Sequence, residues 1–399
     1  MPKRKHEQLS TDAGKAGPTQ TPIIHPPPLL FGTYKLSKQD CTKAIKLAFT
    51  TTSTTTSSST TSTSSSTTTT PTPTTHHSSN YQGIDCAPIY NNEKAVGLAL
   101  NAALASSHID RSTVWVQTKL WRSVRVDKVH TAIRKSIKDL QCQYLDCILM
   151  HWPGPGRRLH APPVTRTNMI DAMVVKFTNK NPDKVVTVPP EWTPQTRLEC
   201  YSQMCAAIEL GLVRSVGVCN FSLRQLQELV AWCTTNALPL PVVVQNEFHP
   251  FLHVHAAPLI AYCRSKNIAY QAHSSLGGPA PKQKKAKATK AKKDTGEADY
   301  SLLDNEVVVA VAQMQQVTPA TVLFRWARSQ GVTSIIAKSS NKARIEENRQ
   351  ICAATFDDHN GGGGGGGGGG AKEMMNGLDL GHEGNTCFTW LRETDPDEY

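Results

Sequence analysis

Apolar and polar positions along the chain alternate between two spacings. Short runs rich in β-branched and other apolar residues, each ending in polar ones, fall at 29–34, 83–87, 114–120, 144–151, 215–221, 242–248, 268–274 and 334–339. Between them apolar residues recur at helical spacing, at 40–48, 93–107, 127–140, 196–210, 223–234, 258–266 and 319–330, with a last helix starting near Asn341. A strand followed by a helix, repeated eight times, implies parallel strands joined by right-handed crossovers. Eight such units in one chain predict an α/β fold, a closed (β/α)8 TIM barrel in preference to an open doubly wound sheet. Active sites of that fold stand where strands end and loops begin. Chemistry is therefore expected at the polar ends of the eight runs.

Several segments break the alternation and have the composition of disordered tails or insertions. They are the first 28 residues, a Ser/Thr tract at about 50–79, a Pro-containing excursion at 156–194, a Lys/Ala stretch at 281–293 within a wider insertion at 279–298, and ten glycines at 361–370. The chain is thus read as one barrel domain at 29–357, behind a tail at 1–28 and ahead of a Gly-rich linker and C-terminal loop at 358–399. The glycine run satisfies GxGxxG trivially, but lacks the strand and capped helix that a dinucleotide fingerprint requires. It reads as a linker.

These segments also explain the composition. Hydrophobic residues make up only 39% of 399 because low-complexity sequence dilutes an ordinary globular core. The formal charge of +11 first suggests nucleic acid. Seven lysines at 282, 284, 285, 287, 290, 292 and 293, together with Lys3, Arg4 and Lys5, carry nearly all of it. The remainder is close to neutral, and the lysines have no interleaved aromatics, so no specific nucleic-acid partner is expected. The 11 cysteines are odd in number, with no CxxC pair. With no apolar leader and no run long enough to span a bilayer, a reduced cytoplasmic setting without membrane contact is expected. His249, His253 and His255 lack a complementary cysteine or carboxylate spacing, and no metal is expected.

Four reactive side chains stand at the mouths of three consecutive predicted strands. Asp85 lies in the second run and Tyr90 follows it, Lys119 lies at the end of the third, and His151 closes the fourth. Such a set suits protonation of a carbonyl oxygen as hydride reaches its carbon. A phenol has an ordinary pKa of about 10, too high for exchange near neutrality. An ammonium beside it, held by a carboxylate, is expected to bring that value down. Lys119 would be that ammonium and Asp85 its anchor. His151 would hydrogen-bond and orient the substrate oxygen.

At these positions the sequence resembles the aldo-keto reductase family. The family's GxRxIDxAxxYxNE pattern reappears at 83–93, its (S/T)KLW at 118–121 and its LMHWP at 149–153. Further on, 215–221 is similar to SIGVSNF, 245–250 to NQxExHP, and Ile336, Ala337, Lys338 and Ser339 with Arg344, Glu347 and Asn348 to IPKSxxxxRIxEN. The match covers most of 31–351 in order, insertions excepted. The resemblance implies NADPH as cofactor and Asp85, Tyr90, Lys119 and His151 as the catalytic tetrad. It implies Asn220 and Gln245 at the nicotinamide carboxamide, and Lys338, Ser339 and Arg344 at the adenosine 2′-phosphate. Glu347 and Asn348 would meet the adenine. Gly32, Thr33, Asp85, Cys219, His273, Ser274, Leu276 and Asn341 complete the implied cofactor set, and Tyr34, Trp121, His151 and Trp152 the substrate pocket. A guanidinium, an ammonium and a hydroxyl at a helix N-terminus suit a phosphate dianion, which favours NADPH over NADH.

Two positions depart from the family pattern. Cys219 stands where serine is usual, and His273 where a tyrosine stacks under the nicotinamide. Imidazole offers less stacking area, so weaker cofactor binding without loss of activity is expected. Taken singly, Asp85 reads as a helix-entry cap, Tyr90 as a loop aromatic and His151 as a satisfied barrel histidine. Their joint spacing and placement favour the catalytic reading, and with what the resemblance implies an NADPH-dependent reductase of small aldehydes or ketones is expected; a monomer is expected as well. The alternatives are an NADPH-binding barrel with little turnover, serving as a redox-sensing or regulatory subunit, and a chromatin-associated protein using the basic stretch.

Overall fold

Eight parallel strands close into a barrel in which each strand pairs with its neighbours in sequence and the last pairs back onto the first. The computed structural model describes residues 25–50, 81–154, 194–277, 301–352, 356 and 370–378. The strands are β1 Leu29–Gly32, β2 Gly83–Asp85, β3 Trp115–Leu120, β4 Cys147–Met150, β5 Val216–Cys219, β6 Val243–Glu247, β7 Ala269–His273 and β8 Ser334–Ala337. The helices among the described residues are α1 Lys38–Phe49, α2 Glu93–Ser107, α3 Val129–Leu140, α4 Pro194–Glu209, α5 Leu223–Thr235, α6 His253–Ser265, α7 Glu306–Met314, α8 Pro319–Ser329, α9 Lys342–Arg349 and α10 Ala371–Asn376. This is the (β/α)8 architecture that the alternation predicts. Most of the Ser/Thr tract, the 156–194 excursion, the lysine stretch and most of the glycine run lie outside the described residues.

The period-two geometry of a strand sorts each side chain to one face. Leu29, Phe31, Val116, Ile148, Met150, Val216, Val218 and Val244 face outward into the apolar layer shared with the helices. Leu30, Trp115, Cys147, Leu149, Cys219, Val243 and Ala269 form a separate cluster inside the barrel. Asp85, Gln117, Lys119, Gln245, Gln271 and His273 fall on the inward parity, nearer the C-terminal ends of their strands. The inside is filled. A Cβ on Gly217 would come within 2.6 Å of Val243 Cγ1 and 2.7 Å of Leu149 Cδ2.

Three elements differ from the sequence reading. Helix α6 starts at His253, five residues before the expected Pro258, which lies inside it. Proline there cannot donate the helical hydrogen bond to the carbonyl of Val254. Helix α7 was not foreseen. Asn305 caps it, accepting from Val307 N at 3.0 Å. Within the expected C-terminal loop, 371–376 forms α10, tied down by Trp326 Nε1 donating to Asn376 Oδ1 at 2.9 Å and by fully buried Met375. Among the described residues no single helix is long and apolar enough to cross a membrane.

Candidate active site

The tetrad residues converge at the mouth of β2, β3 and β4. Asp85 ends β2, and Pro88 opens the single 3-10 turn Pro88–Tyr90 that lifts Tyr90 over it. Asn91, left-handed at φ 55°, ends that turn, and Asn92 Nδ2 donates to Thr33 O at 2.9 Å and Leu36 O at 3.2 Å. The loops after β1 and β2 are thereby locked together. Lys119, 1% exposed, donates to both Asp85 carboxylate oxygens at 2.7 Å, to Cys86 O at 3.0 Å and to Tyr90 Oη at 3.3 Å.

Burial pushes the Tyr90 phenol above its ordinary pKa, against the opposing pull of the Lys119 ammonium. Lys119 acts in the expected direction, but desolvation is the larger influence, so the expected net fall becomes a rise. The phenol is held protonated, the form a proton donor needs. Burial disfavours the Lys119 charge, but the Asp85 carboxylate, together with the smaller pulls of Tyr90 and Cys219, outweighs it and raises the ammonium's pKa. The His151 imidazole is held neutral, well below its ordinary value, by burial first and then by the Lys119 charge. Its Nδ1 is buried with no partner among the described residues, as is Trp121 Nε1.

A polar network, unforeseen from the sequence, runs beneath the tetrad. Asp85 Oδ1 accepts from Gln117 Nε2 at 2.7 Å and from Gln245 Nε2 at 2.8 Å, besides Lys119. Gln271 Oε1 accepts from Gln117 at 2.7 Å and Gln245 at 2.8 Å, and Gln271 Nε2 donates to Ser334 Oγ at 2.9 Å. Ser334 in turn donates to Pro27 O at 2.7 Å. The Cys219 thiol donates to Gln245 Oε1 at 3.3 Å, and burial raises its pKa to about 12. Cys219 therefore does replace a hydroxyl as a donor, but inside this network. The signal for Gln117 and Gln271 was parity: each stands two residues before a residue that the sequence reading had already placed at a strand end.

Aromatic rings wall the mouth. Tyr34 lies 5.1 Å from Tyr90 between ring centroids, Trp121 5.2 Å edge-on from His151, and Trp152 6.2 Å from His151 in a stacked pose. Tyr34, His151, Trp121 and Trp152 are thus joined to Tyr90 in one set of ring contacts. Just after β5, the neighbour of β4, Asn220 Nδ2 donates to His151 O at 2.9 Å, and its Oδ1 lies 3.4 Å from His273 Nε2. His273 Nδ1 pairs with Ser274 Oγ at 3.1 Å. Burial lowers the His273 pKa to about 4. A capping box of Ser222 and Gln225 at the start of α5 fixes the loop that carries Asn220.

The implied cofactor residues fall into two groups. Cys219, Asn220, Gln245, His273, Ser274 and Leu276 gather at the mouth, though both Gln245 amide hydrogens point to Asp85 and Gln271. Thr33 donates to Asp85 O at 2.9 Å, and a Cβ on Gly32 would come within 2.8 Å of Ile336 Cγ2. The second group lies after β8. Lys338 and Arg344 are exposed, Ser339 is buried, and Asn341 caps α9 by accepting from Arg344 N at 3.2 Å. Glu347 accepts from Thr318 and Thr321 on α8, and Asn348 is buried. An open groove of about 630 Å³ lined by Lys43, Ser340, Asn341, Lys342, Ala343 and Glu346 shares only Asn341 with this set.

These residues fit a phosphorylated dinucleotide. Two exposed cations flank a helix start whose backbone N–H groups favour anions. Ser275, in the loop after β7, has a buried hydroxyl with no partner among the described residues; the sequence reading passed over it between Ser274 and Leu276. Among the described residues no cluster of His, Cys, Asp or Glu could hold a metal ion.

Comparison with known proteins bears on the family and the fold. The aldo/keto reductase family model matches residues 54–360. The chain is 32% identical over 281 residues to aldo-keto reductase family 1 member A1 of Bos taurus, covering 70% of this chain and 75% of that one. It is 31% identical over 282 residues to aldose reductase B of Dictyostelium discoideum, covering 68% and 75%. The fold is similar to that of aldose reductase from Giardia lamblia, with a TM-score of 0.62 and 24% identity over 89% of this chain and 93% of the other. The chain belongs to the aldo/keto reductase family, the NADPH-dependent oxidoreductases that act on carbonyl groups.

Proposed function

We propose that the protein reduces aldehydes or ketones to alcohols with Tyr90 as general acid. The observation that carries this reading is the 3.3 Å contact between Lys119 Nζ and Tyr90 Oη, above an Asp85 carboxylate that grips the same ammonium through both oxygens. NADPH, when bound, supplies the hydride. Tyr90, protonated because it is buried, gives its proton to the carbonyl oxygen. Lys119 then stabilises the phenolate left behind, a charge that burial alone would disfavour. His151, held neutral, donates a hydrogen bond that orients the carbonyl oxygen without placing a second positive charge beside Lys119. Tyr34, Trp121 and Trp152 exclude water and pack the apolar part of the substrate.

Lys338, Ser339, Asn341 and Arg344 would hold the 2′-phosphate end of the cofactor. Asn220, Cys219, Gln245, His273, Ser274 and Leu276 would line its nicotinamide end, with Gly32 and Thr33 at the first strand. Glu347 and Asn348 stand beside this set. The same reading takes the enzyme as a cytoplasmic monomer with one barrel domain at 29–357. Its partner is a small carbonyl substrate, with no specific nucleic acid and no membrane.

Incubation of the full chain with NADPH and 4-nitrobenzaldehyde tests the reading. Loss of NADPH absorbance with equimolar formation of the alcohol is the expected result. NADPH binding without alcohol formation from any of a panel of aldehydes would favour a regulatory barrel.

A further inference from the structure

One buried guanidinium ties together the segments that carry His151 and Asn220. Arg197, in the first turn of α4, is 6% exposed. Its Nη1 donates to Pro153 O at 3.2 Å, and its Nη2 pairs with Glu228 Oε2 on α5. The guanidinium carbon lies 6.0 Å from the ring centroid of Phe221, the residue after Asn220. Pro153 follows Trp152 at the exit of β4 and stands 44 positions before Arg197. The bond therefore closes the connection between β4 and α4 at its base. Arg197 lies outside every motif that the sequence reading used.

We propose that Arg197 is a positioning residue of the site: by holding Pro153 O against α5 it fixes Trp152 and the ring of His151 at the barrel mouth. The inference rests on the reading of His151 as the group that orients the carbonyl oxygen. The His151 backbone is held on both sides, its N–H by Leu120 O at 3.0 Å and its carbonyl by Asn220 Nδ2 at 2.9 Å. Those bonds fix the strand end and leave the chain beyond it to be placed. Trp152 comes next, its ring stacked on that of His151 at 6.2 Å and 15°. A rotation of the backbone between Trp152 and Pro153 would slide one ring off the other. Pro153 is buried, and a buried carbonyl left without a donor is costly. Arg197 supplies that donor from a planar guanidinium whose direction Glu228 sets through its other nitrogen. Glu228 belongs to the helix whose capping box fixes the loop of Asn220. One side chain thus keeps the exits of β4 and β5 in register.

The test compares Arg197→Met and Arg197→Lys with the native full chain. Tyr201→Phe is the control on the same helix, where the bond lost is the one to Pro239 O. With NADPH and 4-nitrobenzaldehyde, kcat is expected to fall about tenfold in Arg197→Met while KM stays within about threefold. Arg197→Lys, whose ammonium can still donate to both oxygens, recovers most of the loss, and Tyr201→Phe keeps the native kcat. A second readout needs no turnover. In protein carrying isotope-labelled histidine, the His151 ring resonance is assigned by its absence from His151→Gln. It is expected to move in Arg197→Met and to stay in place in Tyr201→Phe. An unmoved His151 resonance in Arg197→Met, or a kcat equal to the native one, overturns the proposal. If Arg197→Met does not fold, Glu228→Gln loosens the same clamp from its more exposed end, and a His151 resonance unmoved there overturns it equally. If the native chain reduces no aldehyde, a resonance that moves keeps the positioning and removes the reductase reading.

Discussion

Gln117 Nε2 donates to Asp85 Oδ1 at 2.7 Å, from the same strand that carries Lys119. The direction of this bond is dictated from below. Trp115 Nε1, which can only donate, gives its hydrogen to Gln117 Oε1 at 2.8 Å, so the amide nitrogen must face the carboxylate. The second amide hydrogen meets Gln271 Oε1, whose own nitrogen is committed to Ser334. An indole in the barrel interior thus sets the orientation of the group that holds Asp85, and through it Lys119 and Tyr90.

Replacing Gln117 by leucine removes that donor and leaves the Trp115 N–H without its acceptor. We expect kcat to fall about tenfold and stability to drop by about 1–3 kcal/mol, measured by steady-state kinetics and urea unfolding. A destabilised protein with unchanged kcat would make the network structural only.

Lys119 and Asp85 should be more costly to separate than to remove together. Lys119→Met leaves a buried carboxylate unpaired, with an expected loss of about 3–5 kcal/mol. The double variant Asp85→Asn with Lys119→Met should regain part of that loss. Urea unfolding of the native protein and the two variants decides this, and a double variant less stable than Lys119→Met would contradict it.

His273 predicts a pH dependence of stability. Its folded pKa of about 4 lies below the ordinary 6.5, so the unfolded chain takes up its proton first. The stability it contributes is complete above pH 6.5, is lost as the pH falls toward 4, and changes no further below that. We expect a share of about 1–3 kcal/mol across this window. Unfolding free energies between pH 7 and 4 should have a shallower slope in His273→Gln. An unchanged slope would show that other groups, His151 foremost, carry the acid sensitivity.

Arg344 stands exposed in the first turn of α9, whose cap, Asn341, accepts from its backbone N–H. Arg344→Met should weaken NADPH binding by about 10–100-fold while leaving NADH binding nearly unchanged. Fluorescence titration of both cofactors measures this, and equal losses for the two would contradict a role at the 2′-phosphate.

The barrel was legible because its strands carry long apolar runs at regular intervals and its helices keep their period. The tetrad was legible because Asp85, Lys119 and His151 all fall at strand ends on one parity, where a pattern of few residues suffices to place them. The sign of the Tyr90 shift was not. A motif shows that Lys119 is a neighbour, whereas the weight of desolvation depends on everything else that surrounds the phenol. Parity alone marks Gln117 and Gln271 as facing inward; which residue across the barrel each amide meets is not written in its own strand. Helix α6 starts earlier than its sequence suggests because Pro258 reads as a first-turn residue, whereas it stands inside the helix. Asn376 docks on Trp326 through a hydrogen bond distant in sequence, and a helix of six residues between Gly370 and Gly377 is too short to show a period.

The most direct test of the account is the turnover of Tyr90→Phe beside the native protein, with NADPH and 4-nitrobenzaldehyde. The substitution removes one oxygen and keeps the ring that packs on Tyr34. A fall of about two to four orders of magnitude in turnover, with NADPH affinity retained, is the predicted result. Turnover at the native rate would mean that the proton comes from another group.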